Sequence, residues 1–229
     1  MTLLIVLPGL DGTATLHADF LKLVSESFES VSVIPYPPDV ALGYSELEAL
    51  VRAKLPHSTP FILLGESFSG PIALSIGANP PANLAGVVLS TTFARSPLPA
   101  ISPLASLARL APIRAVPISL LSWWLLGRWT TPDLRTSLKQ ALLAVSPAVI
   151  KFRAMATLRV RTPDLAKITA PVLYLRATAD RLLPASAAEH LTSSIANCTV
   201  TDIAGPHLLL QAAPRECASA VSAFAKSLA

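Results

Sequence analysis

Five consecutive apolar residues, Leu3-Leu4-Ile5-Val6-Leu7, run into Pro8-Gly9. Side chains of a strand point alternately to opposite faces, so a strand that is apolar at every position is covered on both sides. Largely apolar runs recur at 61–64, 84–90 and 172–176, and more mixed strands are expected at 30–36 and 198–203. Between them apolar residues fall at helical spacing. Leu16, Phe20, Leu21 and Val24 form one stripe within 15–28, and Leu47, Leu50, Val51 and Leu55 another within 44–55. Further helices are expected at 71–77, 184–195 and 214–228. Doubly covered strands alternating with helices predict an α/β fold: a mainly parallel sheet of about six strands with helices on both faces.

The alternation breaks once. From 93 to 165 the strand signals stop. Leucines recur at helical spacing through Leu104, Leu107 and Leu110, then through Leu120, Leu121, Trp124 and Leu125. Prolines at 97, 99, 103, 112, 117, 132 and 147 cut this stretch into short helices, because proline ends a helix or begins one. The expected organisation is a single domain over 1–229, its core formed by 1–92 and 166–229, with a helical cap inserted at 93–165. A chain of 229 residues is within the size at which such sheets fold without splitting.

Hydrophobic residues make up 52% of the chain and charged ones 14%, and the mean hydropathy is +0.56. No stretch reaches the roughly 20 apolar residues of a transmembrane helix; the longest, 117–127, is about half of that. The first residues lack a basic segment and a long enough apolar run for a signal peptide, so the expected location is cytoplasmic. Cys198 and Cys217 have no metal-type spacing and read as free, buried thiols. Charge is uneven. From Arg95 to Arg161 there are ten Lys or Arg and one acid, Asp133, whereas the remainder is net acidic. A cationic, apolar segment suits an anionic amphiphile or a weak contact with a membrane surface, and also suits an ordinary solvated helix. No basic run is interleaved with aromatics, so nucleic acid is not an expected partner. A monomer and a homodimer are both compatible with the chain.

Four local patterns carry chemistry. The first is Phe61-Ile-Leu-Leu-Gly65-Glu66-Ser67-Phe68-Ser69-Gly70, a strand running through a tight turn into a helix, which is the setting of a nucleophile elbow. Residues two places either side of the nucleophile must be small. Gly65 and Ser69 meet that need for Ser67, although glycine is commoner at the second place. Ser69 is the poorer nucleophile, since Pro71 would then stand two places on. Glu66 reads as a structural acid. The second pattern is Leu7-Pro8-Gly9-Leu10-Asp11-Gly12. Acyl transfer needs backbone N–H groups aimed at the developing oxyanion, and Leu10 and Phe68 occupy the two positions that supply them in such folds. The third is Asp180, in the loop between a strand and the helix begun by Pro184. The fourth is His207, delivered by Gly205-Pro206 after another strand. Each alone has an ordinary explanation as a helix cap, turn or surface residue. Together they run in the order Ser67, Asp180, His207, each just past the carboxyl end of a strand. His17, His57 and His190 are given no partner.

With these motifs the chain resembles the α/β-hydrolase superfamily, and its Leu-Pro-Gly-Leu-Asp-Gly-Thr opening and Gly-Pro-His-Leu-Leu-Leu-Gln ending are similar to small bacterial serine esterases and thioesterases. Pro8-Gly9 stands where that family usually has His-Gly, and the two leading antiparallel strands of larger members are missing. The resemblance implies a triad of Ser67, His207 and Asp180, an oxyanion hole from Leu10 and Phe68, and a lid formed by the insertion. It implies cleavage of a carboxylic ester through an acyl-enzyme. Acyl thioesterase, acyltransferase and lyase chemistry on the same triad remain open, as does a non-enzymatic binding module on the fold. The partner is then a small-molecule acyl ester or thioester, with no metal or other cofactor. Trp123 and Trp124 are candidates to contact an acyl chain or aromatic group of the substrate, with packing of the cap onto the core as the simpler reading.

Overall fold

The computed structural model describes residues 2–97 and 116–228. Six strands, β1 (Leu3–Leu7), β2 (Ser30–Val33), β3 (Phe61–Glu66), β4 (Leu84–Ser90), β5 (Val172–Ala177) and β6 (Cys198–Ile203), form one sheet in the order β2-β1-β3-β4-β5-β6. All neighbouring pairs are parallel, as expected. The chain leaves β1 toward one edge and returns to β3 on the other side. Loops at the carboxyl ends of β1 and β3 therefore diverge and leave a crevice, the usual ligand position in open α/β sheets.

Strand periodicity divides the core in two. Ile5, Leu7, Phe61, Leu63, Val172 and Tyr174 face one apolar layer, closed by α2 (Tyr44–Arg52), α3 (Gly70–Ala78) and α7 (Ala185–Ser194). Leu4, Val6, Ile62, Leu64, Leu173 and Leu175 face the other. That layer is closed by α1 (Ala18–Val24), α8 (Leu209–Ala212) and α9 (Pro214–Ser227). Alternate residues of each strand thus serve separate layers, which is why the runs read as continuous rather than alternating.

Element ends differ from the sequence reading for local reasons. β2 stops at Val33 rather than at 36, since Pro35, Pro37 and Pro38 cannot donate to a ladder. The helix expected over 15–28 is α1 flanked by single 3-10 turns at Thr15–His17 and Ser25–Ser27. The strand expected at 61–64 continues to Glu66. Cys217 is a buried free thiol and Cys198 a half-buried one.

Between β4 and β5 lie α4 (Ile118–Leu125), α5 (Pro132–Leu143) and α6 (Pro147–Leu158). Pro117 caps α4, while Pro132 and Pro147 open α5 and α6, the positions proline tolerates in a helix. Leu104, Leu107 and Leu110, with the prolines at 99, 103 and 112, lie outside the described residues. Leu126 and Leu138 pack on Leu208, and Val145, Val149 and Ile150 pack on Leu10. The described part of this segment is thus seated on the loops that follow β1 and β6. Among the described residues no single helix is long and apolar enough to cross a membrane; α5 and α6 together reach that length but meet at 99°.

Leu64 is fully buried at the centre of the sheet. Truncation there leaves a cavity that a β-strand cannot collapse, so Leu64→Ala is expected to cost about 2–5 kcal/mol in denaturant unfolding. An unchanged unfolding midpoint would contradict the packing described.

Candidate active site

Ser67 stands between β3 and α3 with a backbone φ of 46°, a region that costs a non-glycine residue roughly 1–3 kcal/mol. Crowding around the turn explains why its neighbours are small. A Cβ on Gly65 would lie 2.8 Å from Ala73 Cβ and 2.9 Å from the Ser69 carbonyl oxygen; one on Gly70 would lie 1.9 Å from Thr92 Oγ1. The serine at the second place after Ser67 has its own function. Ser69 is fully buried, donates to the Pro8 carbonyl and accepts from the Tyr36 hydroxyl at 2.6 Å. It ties the elbow to the loop after β1. Thr92 Oγ1 donates to the Ser67 carbonyl at 2.5 Å.

The three residues read from separate motifs converge. Ser67 Oγ donates to His207 Nε2 at 2.7 Å, and His207 Nδ1 donates to Asp180 Oδ2 at 2.9 Å. The second carboxylate oxygen, Oδ1, accepts from the N–H groups of Leu182 at 2.7 Å and Leu183 at 3.0 Å. Burial alone would raise the Asp180 pKa. The hydrogen bond and charge of His207, with those two backbone donors, outweigh it and hold the carboxyl below its ordinary range. An ionised Asp180 fixes the imidazole with its proton on Nδ1, leaving Nε2 free to accept. The His207 main chain is fixed as well: its carbonyl accepts from Thr91 Oγ1 at 2.8 Å.

Phe68 follows Ser67, and its buried ring stacks on Tyr44 with centroids 4.9 Å apart. Leu10 lies in a turn closed by the Gly12 N–H donating to the Gly9 carbonyl at 3.0 Å. Trp123 and Trp124 are 54% and 44% exposed on α4. The simpler reading, packing of the cap onto the core, holds for Leu125 and Leu126 and not for the two tryptophans. The Arg181 guanidinium lies 4.5 Å from the Trp123 ring centroid and donates to the Trp123 carbonyl at 2.8 Å. Among the described residues no group of three His, Cys, Asp or Glu side chains is arranged to hold a metal ion.

A second polar cluster lies beneath the elbow and was not legible in the sequence. His17, expected to have no partner, forms a buried pair with Glu66, Nε2 to Oε2 at 2.8 Å. Gln211 Nε2 donates to Glu66 Oε1 at 2.9 Å. The one available signal was Glu66 itself, an acid at the end of a fully buried strand, which requires a partner.

A Ser–His–Asp chain of hydrogen bonds at the carboxyl edge of a parallel sheet is the arrangement found in α/β hydrolases. Residues 3–220 match the alpha/beta hydrolase family, and the chain belongs to it. That membership supports hydrolase activity on small molecules. By sequence the chain matches no curated protein. Its fold is similar to that of a thermophilic esterase from Thermogutta terrifontis, with a TM-score of 0.80 at 17% identity, over 100% of this chain and 90% of that one. MenH from S. aureus superposes with a TM-score of 0.79 at 18% identity, over 99% and 94% of the two chains. The enol-lactonase from Burkholderia xenovorans LB400 gives 0.69 at 18% identity, over 99% and 90%.

Burial opposes charge on both members of the His17–Glu66 pair. Their mutual attraction and hydrogen bond prevail, so His17 titrates above its ordinary 6.5 and Glu66 below its ordinary 4.5. The Glu66 contribution to stability is complete above pH 4.5 and is lost as pH falls through the lowered value. The His17 contribution is complete below pH 6.5 and is lost as pH rises through the raised value. The difference in unfolding midpoint between wild type and Glu66→Gln is therefore expected to be largest between pH 4.5 and 6.5 and to shrink at alkaline pH. A difference that does not vary with pH would contradict an ionised pair.

Proposed function

We propose that this chain is a serine esterase that cleaves a carboxylic ester of a small acyl substrate through an acyl-enzyme on Ser67. The observation that carries the reading is the unbroken chain Ser67 Oγ to His207 Nε2 and His207 Nδ1 to Asp180, at 2.7 and 2.9 Å. In this reading His207 takes the Ser67 proton as Oγ attacks the ester carbonyl carbon. Asp180 holds the imidazole tautomer and stabilises the imidazolium. The tetrahedral oxyanion accepts from the N–H groups of Leu10 and Phe68. Collapse breaks the ester bond, and His207 returns the proton to the departing alkoxide. A water deprotonated by His207 then attacks the acyl carbon, releasing the acid and restoring Ser67. Helices α4 to α6 act as a lid inserted in a single domain. Their support is the packing of Leu126 and Leu138 on Leu208, next to His207, and the Leu208 N–H donating to the Leu125 carbonyl at 3.0 Å. The same groups would cleave a thioester.

A second reading, contact of this lid with a membrane surface, is favoured by one observation. Leu120, Trp123 and Trp124 are exposed at helical spacing on α4, within a segment carrying ten basic residues and one acid. Amphipathic faces of that kind bind anionic interfaces.

Wild type is expected to hydrolyse p-nitrophenyl esters, with a chain-length preference that reports the pocket. Ser67→Ala should fall to background while remaining folded, because the elbow accepts a small side chain. Asp180→Asn should lower kcat by about 10⁴-fold, since the amide favours the wrong imidazole tautomer. Turnover by folded Ser67→Ala would rule out the nucleophile. For the membrane reading, co-sedimentation with vesicles containing phosphatidylglycerol at low salt is expected, with loss on Trp123→Ser and Trp124→Ser together; wild type remaining in the supernatant would remove it.

A further inference from the structure

Arg153 is the largest fully buried side chain of the described residues, with 0% exposure. It projects from α6 into the turn that carries Leu10. Its Nη1 donates to the Leu10 carbonyl at 3.2 Å and the Asp11 carbonyl at 2.8 Å, and its Nη2 donates to the Pro37 carbonyl at 2.9 Å. The guanidinium sits 5.5 Å from the Tyr36 ring centroid. Among the described residues no carboxylate lies within ion-pair distance of it, and its Nε has no hydrogen-bond partner. Burying a guanidinium is costly, and the Asp11 charge, beyond ion-pair distance, offsets only part of that cost. An apolar side chain would leave the Leu10, Asp11 and Pro37 carbonyls without this donor, so the cost falls where the guanidinium fixes those peptide planes.

Gly9 and Gly12 bound the turn it grips, which is closed by the Gly12 N–H donating to the Gly9 carbonyl and the Thr13 N–H donating to Asp11 Oδ1 at 2.8 Å. The Gly9 carbonyl shares a rigid peptide plane with the Leu10 N–H. The two following planes, those of the Leu10 and Asp11 carbonyls, are the ones held by Arg153. Gly12 has a φ of +71°, and a Cβ there would lie 2.4 Å from Arg153 Nη1, so the guanidinium occupies the space a side chain would need. Every peptide plane from Gly9 to Gly12 is thereby fixed, two of them from a helix more than a hundred residues away in sequence.

We infer that Arg153 is a positioning residue that aims the Leu10 N–H at the oxyanion, making this part of the inserted segment a fixed component of the site. The inference rests on the role proposed for Leu10. It makes the contact of Val149 and Ile150 with Leu10 the apolar half of one docking joint, with the guanidinium as its polar half. Misdirection of one donor by a fraction of an ångström to an ångström is worth about 10- to 100-fold in rate.

The test compares wild type, Arg153→Met, which keeps the stem, and Arg153→Lys, which keeps the charge but lacks the fork. Folding is checked by thermal unfolding, and competence of Ser67 by fluorophosphonate labelling. In folded Arg153→Met, kcat is expected to fall 10- to 100-fold with KM within threefold, and Arg153→Lys should recover only part of the loss. Affinity for an alkyl boronic acid, which presents a tetrahedral oxyanion, should fall in parallel with kcat, whereas affinity for the matching neutral amide should hold. Equal loss toward boronate and amide, unchanged kcat in a folded variant, or failure of both variants to fold would overturn the inference and leave Arg153 a determinant of the fold. Absence of labelling or turnover in wild type would instead remove the esterase reading itself.

Discussion

The left-handed backbone at Ser67 is the constraint around which the site is built. A strand that passes directly into a helix must reverse its direction within one residue, and that residue takes φ 46°. The strain is held by close contacts that leave no room for relaxation: Gly65 against Ala73, Gly70 against Thr92, and Thr92 on the Ser67 carbonyl. Ser69 then joins the elbow to the Pro8 carbonyl and Tyr36. The result is a hydroxyl lifted clear of the strand end, beside loops from β1, β5 and β6 that the parallel register brings to the same rim.

Two buried polar groups support that rim from opposite sides. Glu66 is held by His17 and Gln211 beneath the elbow, while Arg153 clamps the neighbouring turn from the side of α6. Both involve groups that are expensive to bury, and both bear on residues adjacent in sequence to the proposed chemistry: Glu66 precedes Ser67, and Arg153 holds Leu10. Polar groups in a core are retained where they define a geometry that apolar packing would leave loose. Helices α4 to α6 contribute one of these groups and also the apolar seat of Leu208, so they are joined to the loops that carry the proposed site.

Much of this was legible beforehand, for a physical reason. Strands covered on both faces must be apolar at nearly every position, so Leu3–Leu7 and residues 172–175 announce a parallel sheet. The tight turn demands small residues, so Gly65, Ser67 and Ser69 announce an elbow; Asp180 and His207 lie after strands, where loops must emerge. Pairings set by tertiary proximity had no sequence signal. His17 and Glu66 are 49 residues apart and Arg153 and Asp11 are 142 apart, and no periodicity links them. The four-residue helix Leu209–Ala212 is too short to display a repeat. The exposure of Trp123 and Trp124 had no sequence signal either, because an apolar composition does not say which face of a helix is covered.

In the proposed chemistry Ser67 Oγ carries the acyl group during turnover. The most direct measurement is rapid acid quenching of wild type with an activated ester, followed by peptide mass analysis. A transient mass increase equal to the acyl group, on the peptide containing Ser67 and localised to that residue, is the expected result. Product formation at full rate with no adduct at any time, or an adduct on Ser69, would contradict the account.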